Sequence, residues 1–255
     1  MNPRTLSLHL TALSHWHDYQ QLPDPTQTPY IRKLLKGVKH THGRPKRKAQ
    51  ALYPEHIQQM VAQLNQKDTL KSIRDNALIQ VAYFGAFRRS ELIAMRVEDM
   101  KFNTKGLMIL IPRSKSDQEG TGKVKALPYG KGDICPVTSI KKWLDAANLT
   151  EGHVFRSISR WGKMQSSSLH PDSINSILKK LASECSFDFI DELSSHSLRR
   201  GFATSAASAG AKFDSIKRQG GWSSDNTVKE YIDDSKIFDE NAAISLIDVF
   251  FNNST

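Results

Sequence analysis

The 255-residue sequence predicts a mainly helical α+β protein, a helical domain with a small antiparallel sheet, preceded by a partial helical segment. Three observations carry that expectation. Apolar residues recur at helical spacing through most of the chain, as in Ile73, Ala77, Leu78 and Val81, which share one helix face. A single region, residues 107–111 and 123–127, has the short apolar runs and polar connection of a hairpin. A basic stretch holding Gly43 and Pro45 breaks the helical pattern, so the chain divides into 1–47 and 48–255.

Taken in order, residues 4–20 have helical spacing (Leu6, Leu10, Leu13) until Pro23 and Pro25 interrupt. A second short helix fits 28–38, and 42–50 reads as a basic linker. Helices are expected at 53–64 and 72–84, punctuated by Gly85, with another turn or two at 90–95. The hairpin follows, its strands joined by the polar loop 113–122. Ile140, Trp143, Leu144 and Ala147 mark a helix after Pro136; Ile174, Ile177, Leu178 and Leu181 mark one opened by Pro171 and Asp172. A helix over 196–209 ends at Gly210, a residue suited to a left-handed cap. Short helices fit 213–219 and 226–233, and an apolar tail runs from 242 to 251. No repeat or low-complexity tract interrupts this order.

Charge narrows the class of partner. Thirty-six Lys+Arg against 26 Asp+Glu give a net charge of +10, which favours a polyanion. Lys33, Lys36, Lys39, His40, His42, Arg44, Lys46, Arg47 and Lys48 lie together with no acid between Asp24 and Glu55. Of these, Lys36, Lys39, Arg44, Lys46, Arg47 and Lys48 are the candidates for contacts to a phosphate backbone. No run approaches the roughly eighteen apolar residues of a membrane span, and the first residues lack a signal-peptide core. Cys135 and Cys185 are too few and too far apart for a disulfide framework or a zinc site, which suits a cytoplasmic location.

Five short motifs carry chemistry: Arg88-Arg89-Ser90-Glu91-Leu92; Lys115 in a polar turn; His196-Ser197-Leu198-Arg199; Gly220-Gly221-Trp222; and Tyr231. Breaking a phosphodiester by covalent catalysis needs a nucleophile, donors for the non-bridging oxygens and a proton source for the departing oxygen. Metal-dependent nucleases cluster carboxylates, whereas this set is cationic with one carboxylate, so guanidinium groups would have to hold the charge. A tyrosine is mostly protonated at neutral pH and needs a base or a strongly positive pocket to react. Read singly, each motif has an ordinary explanation: a surface Arg–Glu pair, a solvated lysine, a histidine at a helix start, a core tryptophan.

In order and spacing the motifs resemble the tyrosine recombinase (phage integrase) family. Tyr231 lies nine residues after Trp222 and 32 after Arg199, and the whole set spans about 145 residues. The resemblance implies Tyr231 as nucleophile, Arg88 and Arg199 as phosphate clamps, His196 in proton transfer or hydrogen bonding, and Lys115 as general acid. It implies Glu91 as the acidic residue supporting the site, on one helical face with Arg88. Register selects Arg88 over Arg89 and Arg199 over Arg200. Trp222 stands where much of the family has histidine; an indole donates one hydrogen bond but carries no proton, so this position stabilises charge.

The likeness extends over essentially the whole chain. Residues 49–255 resemble the family's catalytic domain, and 4–45 resemble the last part of its helical core-binding domain, before which members usually carry two or more further helices. The implied function is site-specific recombination through a 3′-phosphotyrosyl intermediate, with double-stranded DNA as partner and neither metal nor cofactor. A homotetramer on DNA, a monomer in solution, and a cytoplasmic, nucleoid-associated protein of prokaryotic, phage or plasmid origin are implied with it. A type IB topoisomerase-like enzyme and a catalytically silent DNA-binding fragment are the alternatives. The apolar tail either docks into a neighbouring protomer, as in the family, or packs on its own domain.

Overall fold

The computed structural model describes residues 2–45, 48–112, 122–236 and 241–252. The chain falls into two compact units, Met1–Lys48 and Ala49–Thr255.

The smaller unit is a pair of helices, α1 (Pro3–Tyr19) and α2 (Pro29–His42). Asn2 caps α1 by accepting from the Arg4 amide at 3.0 Å, and prolines open both helices, where their missing N–H costs nothing. The second helix runs four residues beyond the expected end at Val38, because nothing before Gly43 breaks it. Little apolar surface is covered: Leu8, Leu13, Trp16, Tyr30 and Leu34 all stay exposed.

The larger unit is built around α4 (Leu70–Phe84), which packs against α3 (Pro54–Asn65), α6 (Pro136–Ala146) and α8 (Ser195–Ser208). Its second half is buried on every side, Leu78, Ile79, Val81 and Ala82 fully so, as suits a central helix, while Arg74, Asp75 and Gln80 are polar groups buried with it. The core continues through Trp143, whose indole donates to the Val154 carbonyl at 2.8 Å, and through Phe155 and Leu178. Burying such side chains stabilises the unit by about 1.5–3 kcal/mol each.

Beside the helices lies an antiparallel sheet of β1 (Met100–Asn103), β2 (Gly106–Ile111) and β3 (Lys123–Pro128), in that order. The β2–β3 pair is the hairpin the sequence predicts, with Ile109 opposite Lys125. The third strand, β1, was not expected, and neither was a second sheet of β4 (Arg156–Ile158) and β5 (Met164–Ser168). All three are short: β1 (Met-Lys-Phe-Asn) alternates over only four residues, and β5 (Met-Gln-Ser-Ser-Ser) is mostly polar, too little for either to stand out.

Four further helices complete the frame that holds the site: α5 (Arg89–Ala94), α7 (Pro171–Glu184), α9 (Phe213–Gly220) and α10 (Asp225–Lys236). A last helix, α11 (Ala242–Asn252), leaves Ile244, Leu246, Ile247 and Val249 exposed rather than covered by its own unit. Among the described residues no helix is long and apolar enough to cross a membrane.

Candidate active site

The site starts where α4 turns into α5. A Cβ on Gly85 would sit 2.0 Å from the Phe87 ring, so only glycine lets that ring fold back into the core. Ala86 then takes a left-handed backbone (φ 44°), uncommon for a residue with a side chain. Arg88 follows as the N-cap of α5, with extended backbone. Glu91 accepts from the Arg88 amide at 2.9 Å through Oε2, and from Arg88 Nη1 at 2.8 Å through Oε1. The spacing places Arg88 and Glu91 on one helical face; in fact Arg88 precedes the helix, and Glu91 reaches back as its capping carboxylate.

The second arginine arrives on α8. Ser194 caps this helix, its hydroxyl accepting from the His196 amide at 3.2 Å. A Cβ on Gly201 would lie 1.8 Å from the Leu52 carbonyl, so the glycine lets α8 pack tightly against the segment before α3. Arg199 is buried, with Nη1 donating to the Ala86 carbonyl and Nη2 to the Gly220 carbonyl at 3.1 Å. Arg88 Nη2 donates to the next carbonyl, Gly221, at 2.8 Å. One glycine turn thus offers two successive carbonyls, one to each guanidinium. Gly221 is left-handed (φ 64°), and a Cβ on Gly220 would meet the Trp222 ring at 1.8 Å. The indole therefore lies back over Gly220.

From there the contacts run to Tyr231. The Arg199 guanidinium carbon lies 4.8 Å from the centre of the Trp222 ring, and the Trp222 and Tyr231 rings are 5.6 Å apart. Tyr231, on α10, is half-buried. Its ring rests on a small apolar cluster of Ala203, Ile216 and Val228, separate from the main core. Gln219 anchors α9, its amide donating to Phe84 at 2.9 Å and to Ala126 at 3.1 Å.

One residue the motifs passed over belongs here. Lys125 points inward from β3 with Leu127, and its Nζ lies 3.5 Å from Glu91 Oε2. Strand alternation is the signal that could have found it, since position 125 shares the face of Leu127. Burial pulls the Lys125 ammonium down to about 8, against the pull of Glu91, while Arg199 and Arg88 push the same way as burial. Burial raises the Glu91 carboxyl, but Lys125 and the Arg88 hydrogen bonds outweigh it and hold the group below its ordinary value. Burial also brings Arg199 down to about 10, helped by the nearby Arg88 charge; it stays cationic at neutral pH.

The remaining candidates lie as follows. His196 is exposed on the first turn of α8, one turn before Arg199. Arg89 faces outward and pairs with Asp172 at 2.9 Å, whereas Arg200 donates to the Ala49 carbonyl at 2.8 Å. Lys36, Lys39, Arg44 and Lys48 are exposed in the smaller unit. Lys115, Lys46 and Arg47 lie outside the described residues. No cluster of His, Cys, Asp or Glu able to hold a metal ion occurs among the described residues.

Known proteins resemble this chain over most of its length. The model of the phage integrase family matches residues 50–237. An integrase/recombinase XerD homologue of Selenomonas ruminantium is 35% identical over 243 residues, covering 93% of this chain and 70% of that protein. The recombinase Cre of Escherichia phage P1 is 24% identical over 251 residues, covering 90% of this chain and 70% of Cre. Among solved structures, the XerH site-specific recombinase in a post-cleavage complex with its palindromic difH substrate superposes with a TM-score of 0.61. That likeness, at 18% identity, covers 94% of this chain and 64% of XerH, and concerns the fold.

Proposed function

The chain belongs to the phage integrase family, the tyrosine recombinases that break and rejoin DNA at specific sites, and from that premise we propose that it cuts and rejoins double-stranded DNA with Tyr231 as nucleophile. The phenolic oxygen attacks a scissile phosphorus, the bond to the 5′ oxygen breaks, and a 3′-phosphotyrosyl link forms. Lys115 protonates the departing 5′ oxygen, and His196 assists the proton leaving Tyr231. The 5′ hydroxyl of another strand then attacks the phosphotyrosine, joining new partners and releasing the phenol. Bond energy is retained in the covalent link, so neither a nucleotide cofactor nor a metal is called for.

The observation that carries this reading is the pair of guanidiniums hung from adjoining carbonyls beside Trp222 and Tyr231. Each guanidinium has five donors in a planar fork, so two bonds to protein acceptors leave capacity for phosphate oxygens. Their backbone anchors fix them before the charge develops, which is the arrangement electrostatic catalysis requires. The Trp222 indole adds a neutral donor, and Glu91 orients Arg88. Lys36, Lys39, Arg44, Lys46, Arg47 and Lys48 contact the phosphate backbone without reading sequence.

The protein works as a homotetramer on two duplexes and is monomeric when free, in the cytoplasm close to the nucleoid. The exposed apolar side chains of α11 favour the tail's docking into a neighbouring protomer over packing on its own unit.

The test is covalent capture. Singly nicked fragments of host genomic and plasmid DNA, incubated with the protein and denatured in detergent, are expected to yield an adduct that Tyr231→Phe does not form. Relaxation of supercoiled plasmid without exchange would instead mark a type IB topoisomerase-like enzyme. Salt-sensitive binding with no adduct would mark a silent binder.

A further inference from the structure

Lys125 joins the holders of the two arginines, and the mechanism above gives it no part. Its Nζ donates to the Gly85 carbonyl at 2.9 Å and the Ala86 carbonyl at 3.2 Å, lies 3.5 Å from Glu91 Oε2, and sits 4.4 Å over the Phe87 ring. Two of these acceptors are shared. The Ala86 carbonyl also receives Arg199 Nη1, and Glu91 also holds Arg88. The ammonium is therefore one bond removed from each guanidinium.

Stability alone does not account for a charge here. Lys125 and Glu91 are both buried, and a buried ion pair is commonly no more stable than an apolar side chain of similar volume. What a methionine could not do is hold a carbonyl and a carboxylate at fixed distances. Ala86 has an uncommon backbone conformation, and a cation bonded to its oxygen keeps that carbonyl where Arg199 needs it.

Resting on the reading of Tyr231, Arg88 and Arg199 given above, we propose that Lys125 is a positioning residue. It fixes the Ala86 carbonyl and the Glu91 carboxylate and, through them, sets the separation and aim of the two guanidiniums, without itself touching DNA. Displacement of such groups by an ångström slows chemistry far more than binding.

The experiment compares wild type, Lys125→Met, Lys125→Arg, Glu91→Gln and the double variant Glu91→Gln/Lys125→Met on the DNA fragment that wild type captures. Binding affinity, melting temperature and the single-turnover rate of adduct formation are measured for each. Lys125→Met is expected to bind as tightly as wild type and to form adduct about 10–100-fold more slowly, an effect of misplaced donors. Lys125→Arg restores most of the rate. In the double variant the Glu91 and Lys125 losses do not add, because both act on the same arginine; the double also serves should the unpaired Glu91 carboxylate keep the single variant from folding. Wild-type rates in Lys125→Met, with wild type forming adduct, overturn this proposal alone. Binding, melting and chemistry falling together, with no rescue by arginine, overturn it in favour of a packing role. No adduct with wild type overturns the reading of Tyr231, and this inference with it.

Discussion

Among the described residues of the larger unit two arginines are almost fully buried, and their surroundings are opposite. Arg74 gives Nε and Nη2 to Asp75 Oδ1 at 2.9 and 2.7 Å, and Nη1 to the Arg156 carbonyl at 3.0 Å. Arg199 has carbonyls only; among the described residues no carboxylate lies within ion-pairing distance of it, and Arg88 adds more positive charge nearby. The first arrangement is closed, a cation neutralised by its sequence neighbour. In the second, dipoles hold a cation whose charge is still available to an anion. For these two guanidiniums the anchor is what differs: the Asp75 carboxylate closes Arg74, whereas carbonyls leave Arg199 a charge for the phosphate of the proposed reaction.

The sharpest way to break that comparison is to remove each arginine. Arg199→Ala is expected to slow adduct formation about a hundredfold to a thousandfold, with a smaller loss of DNA affinity. Arg74→Met strands Asp75 and should cost roughly 3–5 kcal/mol of stability in urea unfolding. Its adduct rate per folded molecule should stay within about threefold of wild type, since the sites do not share partners. A collapse of chemistry in Arg74→Met would erase the distinction. Adding Asp75→Leu to Arg74→Met should then recover most of the lost stability, because an apolar pair needs no compensation.

Lys125 is the intermediate case, a buried cation with one carboxylate and two carbonyls. Its folded value of about 8 lies below the ordinary 10.5. Between those values the unfolded chain keeps a proton that the folded protein has released, so wild-type stability rises with pH across that window. Against Lys125→Met, unfolding at about pH 7.5 and about pH 10 should show the balance moving toward wild type by roughly 1–3 kcal/mol. An unchanged difference would mean that the ammonium is not desolvated. The smallest effect belongs to Trp222→Phe, which keeps a ring over Gly220 and loses the donor. Adduct formation should slow by about tenfold, the worth of one hydrogen bond to a charged oxygen.

Much of this was legible beforehand, and the reasons are specific. Helices with apolar periodicity, such as α4 and α7, were visible because their buried faces repeat over several turns. The register of the family motifs singled out Arg88 and Arg199, and those two side chains, not Arg89 and Arg200, meet the 220–221 turn. The strands β1 and β5 were not visible, because β1 alternates over only four residues and β5 is mostly polar, so pairing through the backbone leaves little trace in either. Lys125 was overlooked because a lysine is ordinarily solvated. Only the tertiary fold brings Glu91 and the Gly85 and Ala86 carbonyls to it. The capping role of Glu91 escaped for a related reason, since Arg-x-x-Glu spacing does not reveal where a helix begins.

The measurement that bears most directly on the account is to digest the captured protein–DNA adduct and identify the modified peptide by mass spectrometry. The nucleotide is expected on the tryptic peptide holding Tyr231, following Lys229. A nucleotide on Tyr19, Tyr30, Tyr53, Tyr83 or Tyr129 would contradict it, because the account rests on the phenol whose ring lies beside Trp222 and, through it, Arg199.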